Sequence, residues 1–306
     1  MDCRLIALAV GLSGCQQLEG GMVPLTVVDD PSLPRMALDD GTLVHLRVVG
    51  PDDAPVVMVL HGGPGADHRE LAFLADLAPD FRVVLWDQRG AGLSERLDAD
   101  VVGPALVDDV LHVADHFSPH QPVHLLGYSW GGILATAAAQ AAPERVDRMV
   151  LIEPGGLNQE MFDRSGVTSF SLAADWLNEA QWTYGGLSPD DHARMDLMFG
   201  VAFVADERDR GVDPLFWRYG VASFQGAMES VLSEGYDVVS GLSTADHPVR
   251  IITGGSPHPL GTDFQEQQAR FFGNASVVEV PGEGHGLVRT APGATLAAVR
   301  AGLTDE

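Results

Sequence analysis

Five short, almost wholly apolar runs set the fold of this chain: Val56–Leu60, Arg82–Trp86, Val123–Leu126, Met149–Ile152 and Val249–Thr253. A strand that is apolar on both faces has to be covered on both, which is the pattern of buried parallel strands. Helical stretches lie between several of them, over Asp67–Ala78, Pro104–Phe117, Trp130–Ala141, Phe264–Phe272 and Ala294–Leu303. Thr42–Val49 alternates as a half-buried strand does, and Ser276–Val280 is one more apolar run near the end. Alternation of strand and helix predicts an α/β fold, a doubly wound and mostly parallel sheet with helices on both faces.

One segment departs from this rhythm. Residues 157–246 contain no clear strand and are rich in Trp, Tyr, Phe and Met, so they read as a helical insertion between two strands. Its place in the chain sets it over the strand ends where open α/β sheets bind ligands, which suggests a helical cap above a pocket. The core is then expected over 25–156 and 247–306. With 45 % hydrophobic and 20 % charged residues, the 306-residue chain can bury a large core and is not disordered. Eighteen basic residues, none of them Lys, stand against 43 acidic ones, a formal charge of −25. So acidic a surface repels phosphate backbones and excludes nucleic acid as a partner.

Both cysteines fall in the first fifteen residues, so the folded part has no disulfide and no Cys-based metal site. The apolar stretch Leu5–Leu12, with Arg4 before it, is too short for a bilayer span but suits the h-region of an export signal. Leu12-Ser13-Gly14-Cys15 resembles the lipobox of bacterial lipoproteins. That resemblance implies a signal peptide over 1–14, a lipidated Cys15, a tether over 15–24 and a membrane-anchored exported protein. A plain N-terminal strand, in a cytoplasmic protein, is the alternative. The membrane is expected as a partner only through that anchor.

Three glycine-rich motifs carry the chemistry. Gly127-Tyr128-Ser129-Trp130-Gly131 follows one apolar run and opens a helix of small residues. Glycines there permit the sharp strand-to-helix turn that exposes a nucleophilic hydroxyl, so Ser129 is the expected nucleophile. His61-Gly62-Gly63-Pro64-Gly65 ends another run, and the N–H groups of Gly63 and Trp130 are placed to form an oxyanion hole. His61 reads as a structural residue of that loop. Gly284-His285-Gly286 follows the last apolar run, after the nucleophile in chain order, which marks His285 as the general base.

Together with Trp86-Asp87-Gln88-Arg89-Gly90-Ala91-Gly92-Leu93-Ser94, these motifs resemble the prolyl aminopeptidase (proline iminopeptidase) branch of the α/β-hydrolases, from about Leu43 to the C-terminus. The resemblance implies the α/β-hydrolase fold with an inserted cap, no cofactor and no metal. It also implies an acyl-enzyme route that releases an N-terminal residue, often proline, from small peptides. Related members cleave esters or lactones, so an esterase or lactonase on small acyl substrates stays open, as does a non-catalytic binding protein on a decayed scaffold. Asp87, Gln88 and Arg89 match the family's structural loop.

The family usually carries its triad acid as Asp after the penultimate strand. Here that loop is Gly254-Gly255-Ser256-Pro257-His258-Pro259, with Pro257 in the place of the Asp. Glu153, at the end of Met149–Ile152, is the first choice instead, because a carboxylate at a buried strand end is costly without a partner. Asp263 is the second and Glu283 the third. A peptidase must also hold a charged N-terminus, for which Asp175, Glu179, Glu229 and Glu234 are candidates. Trp176, Trp182 and Trp217 could line an apolar pocket or simply pack in the core.

Overall fold

The computed structural model describes residues 24–165 and 219–304, apart from Leu232 and Glu234. Its centre is an eight-stranded sheet: β1 (Arg35–Ala37), β2 (Leu43–Val49), β3 (Val56–Leu60), β4 (Arg82–Trp86), β5 (Val123–Tyr128), β6 (Val146–Ile152), β7 (Val249–Gly254) and β8 (Ala275–Val280). The spatial order is β1-β2-β4-β3-β5-β6-β7-β8. The pairs β1–β2 and β2–β4 are antiparallel, and every pair from β4 to β8 is parallel.

The period of two along the central strands divides the core. Met58, Leu60, Val84, Trp86, Leu125, Met149, Leu151 and Ile251 join one buried cluster. Val57, Val59, Val83, Leu85, Leu126, Val150, Ile152 and Ile252 join the other. The first face is covered by α1 (Ala99–Phe117), α2 (Trp130–Ala141) and, from the insertion, α4 (Val221–Val231), through Val110, Leu134 and Phe224 among others. The short helix α3 (Gln159–Arg164) precedes α4. The second face is covered by a 3-10 stretch over His68–Leu77 and by α7 (Pro292–Thr304), which follows α5 (Thr262–Ala269) and the single turn α6 (Leu287–Thr290). Each fully buried Val or Leu contributes about 1.5–3 kcal/mol of transfer free energy, so both faces are needed to hold the sheet.

The strands expected from apolar runs are present, most of them a residue or more longer. Two expectations need correction. The helix expected from Pro104 begins at Ala99, with Pro104 inside it. A Cβ on Gly103 would lie 2.4 Å from the Gly226 carbonyl oxygen, so this first turn is held by close approach to α4. The stretch expected as helix over Asp67–Ala78 is 3-10, with Asp67 capping it by accepting from Arg69 N–H. Of the inserted segment, α3, α4 and a short 3-10 turn at Leu242–Thr244 are described. Asp175, Trp176, Glu179, Trp182, Trp217 and Glu234 lie outside the described residues, as do Cys15 and residues 1–23. No described helix is long and apolar enough to cross a membrane.

Register at the carboxyl ends of the strands positions everything that follows. Tyr128 pairs with Ile152, and Ile152 with Ile252. The next residue on each strand is therefore a neighbour of the others. Ser129 N–H donates to the Ile152 carbonyl at 3.0 Å, and Glu153 N–H to the Ile252 carbonyl at 2.8 Å.

Candidate active site

Ser129 sits between β5 and α2 with φ +53° and ψ −113°. Such a backbone is strained for a residue with a Cβ, and the turn survives because its surroundings force it. A Cβ on Gly127 would come within 2.2 Å of the Gly131 carbonyl oxygen, and one on Gly131 within 2.0 Å of the Leu60 carbonyl oxygen. Only glycine fits at either place, which is why the motif brackets the serine. Glu153, with φ +41°, is the other non-glycine residue of positive φ among the described residues. The two strained residues lie side by side, and strain concentrated in this way marks a functional site.

His285 links them. Its Nε2 is 3.0 Å from Ser129 Oγ and its Nδ1 is 2.8 Å from Glu153 Oε2. An ionised carboxylate only accepts, so Nδ1 carries the proton and Nε2 presents its lone pair to the serine hydroxyl. Glu153 is fully buried. Its Oε1 accepts from Gly254 N–H at 2.6 Å and from the Thr253 hydroxyl at 3.1 Å. His285 has a partly exposed side chain (38 %), as a base that must meet a substrate should. Tyr128 stacks on it, with ring centroids 5.3 Å apart, and its hydroxyl donates to the His285 carbonyl at 2.8 Å.

The alternative acids are elsewhere. Asp263 is exposed in the first turn of α5, and Glu283 accepts a hydrogen bond from Thr290. Neither is among the partners of His285, because the chain reaches the imidazole from the end of β6, not from the loop after β7. Glu229 lies exposed on α4, accepting from Gln225 at 3.1 Å.

The oxyanion loop is tied to the nucleophile through Gln88. Gln88 N–H donates to His61 Nε2 and its side-chain amide to the His61 carbonyl, both at 3.0 Å, while Trp130 Nε1–H donates to Gln88 Oε1 at 3.1 Å. Since His61 Nε2 accepts, its Nδ1–H must donate to the Gly62 carbonyl, 2.9 Å away. Burial pulls this imidazole below its ordinary pKa, which keeps it neutral, as that pattern requires. Gly62 N–H is held by the buried Glu70 carboxylate at 3.0 Å. Trp130 is the first residue of α2, so its N–H belongs to the group with no acceptor inside the helix. Gly63, with φ +118°, occupies a backbone region open to glycine. Gln88 takes the structural part expected of its loop, whereas no local pattern marks Glu70, which holds Gly62 N–H, or Tyr128, whose partner lies 157 residues on.

Beneath this loop Asp87, His45 and His68 form a buried knot, with Nδ1 of His45 at 3.1 Å and of His68 at 2.7 Å from the carboxylate. Asp87 also accepts from the backbone N–H groups of His68 and Leu93, which fills its acceptor sites and makes the cluster a hydrogen-bonded brace. Burial alone would raise Asp87, but the His68 charge and the two imidazole hydrogen bonds hold it well below the usual carboxylate range. Burial likewise works to lower His68, and Asp87 outweighs it, leaving His68 above its ordinary value of 6.5. The depressed Asp87 adds stability present above its unfolded pKa and lost as pH falls through the folded one. The raised His68 adds stability complete below pH 6.5 and lost as pH rises through its folded value. Thermal melting followed from about pH 6 to about pH 9 should therefore show a declining Tm, with a smaller decline in His68→Gln. Parallel curves for the two proteins would refute this role for the pair.

Comparison with known proteins agrees with this architecture. The family model described as alpha/beta hydrolase fold matches residues 55–200. A proline iminopeptidase of Pestalotiopsis fici is 34 % identical over 115 residues, which cover 37 % of this chain and 41 % of that one. A protein of Caulobacter sp. named as a carbamate hydrolase is 26 % identical over 266 residues, covering 81 % of this chain and 95 % of that one. Among solved structures, the proline iminopeptidase-related protein of Thermus thermophilus superposes with a TM-score of 0.63 at 23 % identity, covering 89 % of this chain and 96 % of that one. The match to the iminopeptidase sequence thus spans about two fifths of its length, whereas the structural match covers 89 % of this chain. The chain carries the alpha/beta hydrolase fold, with the family match over residues 55–200, and over part of their length it is similar to proline iminopeptidases.

Proposed function

We propose that this chain is a serine hydrolase that works through an acyl-enzyme and releases N-terminal residues, proline among them, from small peptides. The observation that carries the chemistry is the chain of contacts Ser129 Oγ–His285 Nε2 and His285 Nδ1–Glu153 Oε2, at 3.0 and 2.8 Å. Ser129 Oγ attacks the substrate carbonyl as its proton passes to His285 Nε2, and Glu153 stabilises the imidazolium that forms. The carbonyl oxygen, now negative, is met by the N–H groups of Gly63 and Trp130, a donor of this kind contributing roughly 3 kcal/mol in the transition state. His285 returns the proton to the departing amine, which leaves the acyl group on Ser129. A water molecule, deprotonated by the same imidazole, then frees the acid and restores the serine.

The peptidase part of the reading rests on the iminopeptidase relatives and on the motifs shared with them. Likeness to the Caulobacter protein over nearly its whole length favours a second reading, a hydrolase of small acyl compounds without a charged terminus. The two are separated by offering proline p-nitroanilide, its N-acetyl derivative and p-nitrophenyl acetate. The peptidase reading expects release from the free-amine anilide and a loss of at least about tenfold on acetylation, the cost of one unmet charge-assisted contact. Turnover of the ester alone would replace it by the second reading. A lipid anchor at Cys15 is part of the proposal and is independent of this chemistry.

A further inference from the structure

The acid of this site has a second imidazole on it. His258 Nε2 lies 3.1 Å from Glu153 Oε1, the oxygen turned away from His285. Among the described residues that buried nitrogen makes no hydrogen bond of regular geometry, so its contact with the carboxylate is one of proximity, at 3.1 Å. The His258 side chain is 17 % exposed, against 38 % for His285, and the two ring centroids are 6.4 Å apart. Glu153 is therefore flanked on its two oxygens by two histidines.

The loop that carries His258 is built to hold it. Pro257 and Pro259 flank it, each with a fixed φ and no N–H to offer a competing partner. The His258 carbonyl accepts from Gly261 N–H at 3.0 Å and closes the turn. Its Cδ2 lies against two glycines: a Cβ on Gly261 would be 3.6 Å from it and one on Gly284 4.0 Å. Gly284 immediately precedes His285, so the loop after β7 and the loop after β8 meet at this ring.

An acid supplied as Glu from β6 needs such a device. Glu has one more rotatable bond than Asp, and its Oε2 must stay on His285 Nδ1 within a few tenths of an ångström for the correct tautomer to persist. Fixing Oε1 fixes Oε2. Gly254 N–H and Thr253 hold Oε1 from the strand side, and His258 approaches it from the loop. We infer that His258 is a positioning residue for the acid, a third contact that keeps the Glu153 carboxylate turned toward His285. This rests on the serine-hydrolase reading of the same site.

The test is the rate at which a fluorophosphonate inactivates the full chain, a reaction that needs an activated serine but no knowledge of the substrate. His258→Leu should react roughly tenfold more slowly, the scale of one hydrogen bond to a charged group, and His258→Gln, whose amide nitrogen can reach the same oxygen, should recover most of the rate. In a Glu153→Gln background His258→Leu should have less than about a twofold further effect, because the charge it acts through is gone. A wild-type rate in His258→Leu, or an equal loss in both backgrounds, would overturn the proposal. If His258→Leu fails to fold by circular dichroism, His258→Gln is compared with His258→Asn, which is too short to reach Oε1, and equal rates for these two would overturn it as well. Failure of the wild type itself to react at Ser129 would instead overturn the serine-hydrolase reading.

Discussion

Ser129→Ala is expected to lower kcat by about 10⁶-fold with an unchanged far-ultraviolet spectrum, the loss typical of removing the nucleophile from a cooperating triad. The size of the effect follows from the geometry. Ser129 Oγ is the group that His285 Nε2 contacts, at 3.0 Å, so without it the imidazole loses the hydroxyl it activates. The fold should tolerate the change, because Ser129 is half-buried and its backbone, not its hydroxyl, bonds to β6. Alanine at φ +53° suffers the same backbone strain as serine, so a large fall in Tm is not expected. Residual turnover within a hundredfold of the wild type, assayed on whichever substrate proves best, would place the nucleophile elsewhere.

Glu153→Gln is expected to lower kcat by about 10⁴-fold, and the reason is a tautomer. Gly254 N–H, 2.6 Å from Oε1, requires an acceptor at that position, and the Thr253 hydroxyl donates to the same oxygen. The glutamine must therefore place its carbonyl oxygen there and turn its NH₂ toward His285. An NH₂ group donates, so Nδ1 becomes the acceptor and Nε2 takes the proton. The imidazole then offers Ser129 an N–H where catalysis needs a lone pair. Asp263→Asn is the control, and kcat within twofold of the wild type is expected from its exposed place on α5. Comparable losses in the two variants would contradict the assignment of Glu153.

How much of this was legible in the sequence differs from residue to residue, for physical reasons. Ser129 is visible because a strained turn leaves a local mark, glycines at fixed offsets between an apolar run and a small-residue helix. His285 is visible through chain order and its glycine neighbours. Glu153 is visible only by its cost, a carboxylate where β6 is otherwise buried, and its place beside Ser129 came from the register of β5 on β6. His258 stands in the loop that lacks the family's Asp, yet nothing local shows that its ring reaches a carboxylate 105 positions away. The brace of His45, His68 and Asp87 was hidden for the same reason, since its members are 42 and 19 residues from one another's partner. The central strands were legible because burial on both faces leaves an unbroken apolar run. The strand β1 was not, being three residues long and mostly exposed at the sheet edge.

The most direct test of the central claim is to treat the chain with a fluorophosphonate and locate the adduct by peptide mass spectrometry. A single adduct on the peptide that carries Ser129, absent from Ser129→Ala and slowed in Glu153→Gln, is the predicted result. An adduct on another residue, or none on a protein that still hydrolyses its substrate, would contradict it.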